Sequence, residues 1–210
     1  MTTYRERQDA QMARYMAWVT EQGKDGRPPP ELPIQLDTLM RPEQMARLDW
    51  LKANVQGTVL DVGCNFGFVT AYVGGHAGVD ISEGSIHIAK LLAAHRDFRV
   101  ADAKALPFED DSFDTVLLCE VLEHLALPDE VLQALREAQR VARKHILITV
   151  PAYDSEESTN KKHRWRCDEA AIDVMASQYL AWGPGHIYRH PYGGAPGFVC
   201  INAGPRFERS

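Results

Sequence analysis

Three aspartates, Asp61, Asp80 and Asp102, stand beside residues that turn the backbone, and their spacing is the first sign of chemistry in this chain. Asp61 precedes Gly63-x-Asn65-x-Gly67, a tight turn in which glycines permit positive φ and let a ligand approach the main chain. A helix opening at such a turn directs unpaired N–H groups at whatever lies there. An acid about 20 residues further on is placed to accept from ribose hydroxyls, and Asp80 fits that role. Phe68 stands where the dinucleotide fingerprint needs its third glycine, so a nicotinamide enzyme fits poorly. His124 and His163 are candidate general bases, because imidazole exchanges protons near neutral pH. For each histidine the plain alternative is a structural or exposed side chain. A solvated loop residue is likewise the plain alternative for any one aspartate, though less readily for three in register.

Positioning these groups requires alternating elements, and the pattern supplies them. Residues 58–62 read as a strand, 67–74 as a helix, and a short strand ends at Asp80. Ser82 suits the N-cap of a helix with Ile86, Ala89 and Leu92 on its apolar face. Strands follow at 98–102, 113–119 and 145–150, with a helix over 129–143. The nearly continuous apolar run of 113–119 suits a strand covered on both faces. This alternation predicts a Rossmann-like α/β fold, a doubly wound and mostly parallel sheet. Ligands of such sheets sit outside the carboxyl ends of the strands, where the three acids fall.

Residues 168–178 read as a further helix. Segments 180–189 and 197–203 lie so close in sequence that an antiparallel C-terminal hairpin is expected. Before the first strand, helices are expected over 4–22 and from Pro42, the latter with Met45, Leu48, Leu51 and Val55 apolar. Residues 23–30 separate them with Gly and consecutive Pro. The expected organisation is a helical cap over 1–56 and a catalytic-type domain over 57–210. Packing on the sheet, covering a substrate or forming a homodimer contact are the roles open to the cap.

With 210 residues, 45% hydrophobic and 25% charged, the chain can bury one sizeable core. A formal charge of −6 argues against a general nucleic-acid binder. The four cysteines, at 64, 119, 167 and 200, show no paired spacing, so reduced thiols and a cytoplasmic setting are expected. The N-terminus lacks the apolar run of a signal peptide, and no segment is long and apolar enough to span a membrane.

Residues 57–151 resemble the class I S-adenosylmethionine-dependent methyltransferases. Val59-Leu-Asp61-Val-Gly63-Cys-Asn65-Phe-Gly67 is similar to their first motif, with Asn65 where glycine is commonest. Gly78-Val-Asp80-Ile81-Ser82 is similar to the second and Ala101-Asp102-Ala103 to the third. Ala105-Leu-Pro-Phe108 through Phe113-Asp114, followed by Glu120-Val-Leu-Glu123-His124-Leu125, resembles the subgroup that methylates quinone precursors and other small molecules. The resemblance implies S-adenosylmethionine as cofactor and a small-molecule acceptor methylated at oxygen rather than at nitrogen or carbon. It places Gly63, Asn65 and Gly67 against the methionine part, with Asp61 anchoring the amino group. Asp80 would hold the ribose, Ile81 would lie on the adenine, and Asp102 with the Ala103 backbone would meet the adenine edge. Glu120 would border the cofactor.

Two other readings stay open. Glu120, Glu123, His124 and His163 also resemble the metal-binding set of the small-RNA 3′-terminal 2′-O-methyltransferases, in which a divalent ion polarises the hydroxyl. The loop around His163 carries Lys161, Lys162, Arg164 and Arg166, which could meet a phosphate or simply be solvated. The small-molecule reading assigns no metal and expects no nucleic-acid partner. A cofactor-binding accessory subunit, inactive by itself, is the reading from another class.

Overall fold

The described residues of the computed structural model are 42–126, 128–151, 186–192 and 195–203. The readings over 4–22, 23–30 and 168–178, and His163, lie outside them. Within these limits the chain runs α1 (Pro42–Asn54), β1 (Val59–Val62), α2 (Phe68–Tyr72), β2 (Ala77–Asp80), α3 (Glu83–Leu92) and β3 (Asp97–Val100). Then come β4 (Phe113–Cys119), a 3-10 turn (Leu122–His124), α4 (Asp129–Val141), β5 (Ala142–Pro151), β6 (His186–Tyr192) and β7 (Ala195–Ala203).

The strands form one seven-stranded sheet in the order β3-β2-β1-β4-β5-β7-β6. β3, β2, β1, β4 and β5 pair in parallel. β7 pairs antiparallel with both β5 and β6. The direction of winding reverses between β1 and β4, which opens a crevice at their carboxyl ends.

Both faces of the sheet are covered, and strand alternation decides which side chain goes where. Leu60 and Val62 of β1, Val116 and Leu118 of β4, and Ile146 and Ile148 of β5 pack with Val131, Leu135 and Ala138 of α4. Val59, Leu117, Cys119 and Leu147 point to the other face, where they meet Leu48 and Leu51 of α1. Both leucines are fully buried, each worth roughly 1.5–3 kcal/mol relative to exposure. The second predicted helix therefore packs on the sheet, as a core element. Its register also delivers Arg47 to the face shared by Asp61, Cys119 and Thr149.

Several boundaries move. α2 stops at Tyr72 rather than 74, where Gly74 (φ 76°) and Gly75 end the helix. β3 ends at Val100, so Asp102 lies beyond the strand rather than in it. It sits in a turn closed by an isolated Asp102–Ala105 bridge. Ser82 does cap α3, accepting from the Ser85 amide at 3.2 Å. The expected apolar face of that helix needs correction at one end. Ile86 and Ala89 are buried, but Leu92 is 71% exposed. Helical spacing reports the direction of a side chain, and none of the described residues covers Leu92. At the opposite end of the central strands, Asp114 accepts from Thr58 N (2.9 Å) and pairs with Arg143 (2.9 Å) and Lys144 (3.0 Å). The Thr58 amide and the two cations hold its carboxyl well below the usual range. That ties together the starts of β1, β4 and β5, opposite the crevice.

Candidate functional site

The carboxyl end of β1 carries the most buried acid in the molecule's central strands. Asp61 is 1% exposed and its Oδ2 accepts from Thr70 Oγ1 at 2.6 Å. Burial pushes its carboxyl up to about 7; Thr70 opposes the rise and Asp80 adds to it. An acid in this state becomes charged when a cation arrives beside it.

The turn that follows is built from three left-handed residues: Gly63 (φ 76°), Asn65 (φ 50°) and Gly67 (φ 75°). Gly63 N and Cys64 N both donate to Val79 O, at 2.8 and 2.9 Å, pinning the turn to β2. A Cβ at Gly63 would overlap Val121 Cγ2, and one at Gly67 would lie 2.7 Å from Phe98 Cζ. The turn is thus wedged between the β4 loop on one side and β3 on the other. Gly63→Ala adds about 1–2 kcal/mol of left-handed strain to that overlap. A thermal midpoint lowered by roughly 2–8 °C is expected in a calorimetric scan. An unchanged midpoint would mean that Val121 yields freely and the close packing is unimportant.

Asn65 is explained by its neighbours. Its amide donates to Asp80 Oδ2 at 2.9 Å, and its Oδ1 accepts from Ser85 Oγ at 3.2 Å. Asparagine tolerates the left-handed region, and here its side chain also fastens the turn to α3. Asp80 receives a second amide, Ser82 N to Oδ1, at 2.9 Å. Both oxygens are oriented by the main chain, yet each carboxylate oxygen can accept further bonds. Ile81, beside it, is 37% exposed and Val100 45% exposed, an apolar pair at the ends of β2 and β3.

Asp102 is held differently. Lys104 N donates to Oδ1 at 2.9 Å and Lys104 Nζ pairs with Oδ2 at 3.1 Å. The same ammonium reaches Glu130 Oε1 at 3.3 Å, linking this loop to the start of α4. Ala103, between them, is half-buried.

Past the end of β4 lies Glu120, left-handed at φ 56°. Glutamate gains nothing from this conformation, which costs roughly 1–2 kcal/mol, and such outliers persist only where surroundings impose them. Glu120 N donates to Thr149 O at 2.9 Å, and Oε1 accepts from Thr149 Oγ1 at 3.1 Å. Arg47 Nη1 stands 3.5 Å from the same oxygen. Burial raises the Glu120 carboxyl while Arg47 and Thr149 lower it. Glu123 is 1% exposed, with Oε2 buried and unpartnered; burial and the nearby Glu120 push it well above the usual range. His124 is half-buried in the 3-10 turn next to it.

The structure therefore brings Asp61, Gly63, Asn65, Gly67, Asp80, Ile81 and Glu120 to one edge of the sheet, with Asp102 and Ala103 at its β3 end. Among the described residues no three His, Cys, Asp or Glu side chains group as a metal site. Glu120 is instead engaged by Arg47 and Thr149.

A family model described as "Methyltransferase domain" matches residues 60–148. Residues 60–148 are similar to that family. A ubiquinone biosynthesis O-methyltransferase from Roseobacter denitrificans is 37% identical over 87 residues, 38% of this chain and 35% of that protein. O-methyltransferase cnsE from Penicillium expansum is 34% identical over 113 residues, 46% of this chain and 41% of that one. The chain thus spans well under half the length of the curated relatives it matches. The fold extends further than the sequence likeness. Magnesium protoporphyrin IX methyltransferase from Synechocystis, solved with bound SAH, superposes with TM-score 0.66 at 18% identity, covering 96% of this chain and 98% of that one.

The sequence motifs and the crevice coincide at the β1–β4 reversal. Sequence reasoning missed Arg47 and Thr149. Neither belongs to a motif, and no local signal announces a contact spanning 72 or 102 residues. The only hint was an arginine amid the apolar positions of α1.

Proposed function

We propose that this chain transfers a methyl group from S-adenosylmethionine to a small molecule, at oxygen. The observation that carries the reading is the set of acids along one sheet edge, Asp61 buried beneath the glycine turn and Asp80 oriented by two amides. The donor set fits the cofactor. A buried acid held protonated near neutrality is matched to an ammonium or sulfonium charge. Asp80 retains acceptor capacity for ribose hydroxyls. Ile81 and Val100 offer the apolar surface an adenine needs.

Roles follow from these positions. Asp61 anchors the amino group, and Gly63, Asn65 and Gly67 line the methionine part. Asp80 holds the ribose, Asp102 and the Ala103 backbone meet the adenine edge, and Glu120 borders the cofactor. Bound S-adenosylmethionine supplies an activated methyl group for in-line displacement. Holding two reactants in line contributes roughly 7–11 kcal/mol, so the domain can act mainly by positioning. His124, next to the crevice, is proposed as the group that takes a proton from a hydroxyl acceptor, with His163 the second candidate. The division into a cap over 1–56 and a domain over 57–210 belongs to the same proposal, as do a cytoplasmic setting and a homodimer. α1 covers one face of the sheet. Among the described residues no helix is long and apolar enough to cross a membrane.

A labelled-methyl assay over phenols, sugars, amines and a short RNA, each with and without chelator, tests the reading. Label in a phenol or other small hydroxyl compound, unaffected by chelator, is expected. Label confined to RNA and lost with chelator would point instead to metal-assisted 2′-O-methylation. Tight cofactor binding without any transfer would point to an accessory subunit.

A further inference from the structure

The guanidinium of Arg47 is the side chain that joins the helix before β1 to the edge of the sheet where the ligand is proposed to bind. Arg47 is 3% exposed. Nη1 donates to Cys119 Sγ at 2.9 Å and to Thr149 Oγ1 at 3.4 Å, and lies 3.5 Å from Glu120 Oε1. A buried guanidinium needs such partners, because an uncompensated charge is costly away from water. Its partners sit on the last residues of β4 and β5, paired in register at Cys119 and Thr149.

Glu120 is what this arrangement holds. Its φ of 56° turns it out of the strand, and Thr149 and Arg47 together occupy one carboxylate oxygen, Oε1. The other oxygen has no protein partner among the described residues, and the side chain is a quarter exposed. The next residue, Val121, packs directly on Gly63, so the Glu120 segment and the glycine turn touch. Cysteine at 119 does not supply a competing charge, since burial pushes its thiol up to about 12. Burial and the neighbouring Glu120 push the Glu123 carboxyl well above the usual range, with Arg47 opposing the rise.

We propose that Arg47 is a positioning residue: through Oε1 it locks the Glu120 carboxylate so that the open oxygen receives the hydrogen-bond donors of the methyl donor's amino-acid end. This rests on the reading of the site as an S-adenosylmethionine site. It adds that the site is incomplete without a residue lying outside the family segment 60–148. The methyl-transfer domain and its preceding helix are then one functional unit rather than a domain and a detachable cover.

The test is a double-mutant cycle read by calorimetry with S-adenosylhomocysteine, which needs no acceptor. Arg47→Met and Glu120→Gln are each expected to weaken binding at least tenfold, and the double variant no more than the weaker single. Such non-additivity is what coupling between the pair means. Arg47→Lys, which keeps the charge but not the planar fork, should recover part of the loss. A purely structural arginine would lower stability without coupling to Glu120, and its effects would add. If Arg47→Met does not fold by circular dichroism, Arg47→Lys and Thr149→Val, each combined with Glu120→Gln, complete the same cycle. Additive losses, or unchanged affinity in a folded Arg47→Met, would overturn this inference alone. A wild-type chain that binds no S-adenosylhomocysteine would overturn the functional reading and this inference with it.

Discussion

Asp80→Ala is expected to weaken S-adenosylhomocysteine binding by roughly 100-fold or more, because a carboxylate accepting two hydroxyls contributes about 1.5–3 kcal/mol per bond. The structure adds a second loss. Asn65 N and Ser82 N both donate to this carboxylate at 2.9 Å. Removing it strands two amides at the turn, at roughly 1–3 kcal/mol each if they stay shielded from water. Affinity and thermal midpoint should fall together, and Asp80→Asn, which keeps one acceptor oxygen, should lie between. Calorimetry and a thermal scan on the same samples check this. Wild-type affinity in a folded Asp80→Ala would place the ribose elsewhere.

Asp61 gives the second large effect, and its signature is pH. In the folded chain burial lifts its carboxyl from 3.8 to about 7. Below pH 3.8 both folded and unfolded chains hold the proton, and the contribution to stability is complete. Between 3.8 and 7 the unfolded chain releases the proton while the native one keeps it, so stability falls as pH rises. Above 7 the loss is complete, on the order of 4 kcal/mol from the shift in at about 1.4 kcal/mol per unit. Asp61→Asn cannot ionise, so its stability relative to wild type should grow between pH 4.5 and 7.5 in urea unfolding. A constant difference across that range would show that Asp61 is already charged. A ligand ammonium beside Asp61 reverses the balance by favouring the carboxylate. Binding near pH 6.5 should then release up to one proton, seen as calorimetric heats that depend on buffer ionisation enthalpy. The release should vanish at pH 9 and in Asp61→Asn. Equal heats in all buffers would remove the ammonium from the neighbourhood of Asp61.

Read alone, the sequence determined what depends on neighbours along the chain. Alternating apolar strands and 3.6-spaced helices fix a parallel, doubly wound sheet, since each element must bury one face. Glycines at 63 and 67 mark a left-handed turn, because few other residues reach that backbone cheaply. Strand ends then put Asp61 and Asp80 on one edge, and Ser82 behind Asp80 announces its helix by capping it. Asn65 was legible as a departure from glycine but not as a bond to Ser85, which lies 20 residues away.

Only the tertiary structure decided what depends on which surfaces meet. It showed Leu92 facing water although its helical phase matches Ile86 and Ala89. It set Asp102 beyond its strand and gave it Lys104 as a partner. It turned Glu120 into the left-handed region, a conformation that no local preference of glutamate predicts. Above all, it carried Arg47 from a helix before the first strand to the ends of the fourth and fifth. Backbone propensity and hydrophobic period are short-range and repeat along the chain, whereas the meeting of Arg47, Cys119, Thr149 and Glu120 depends on how a helix lies across a sheet.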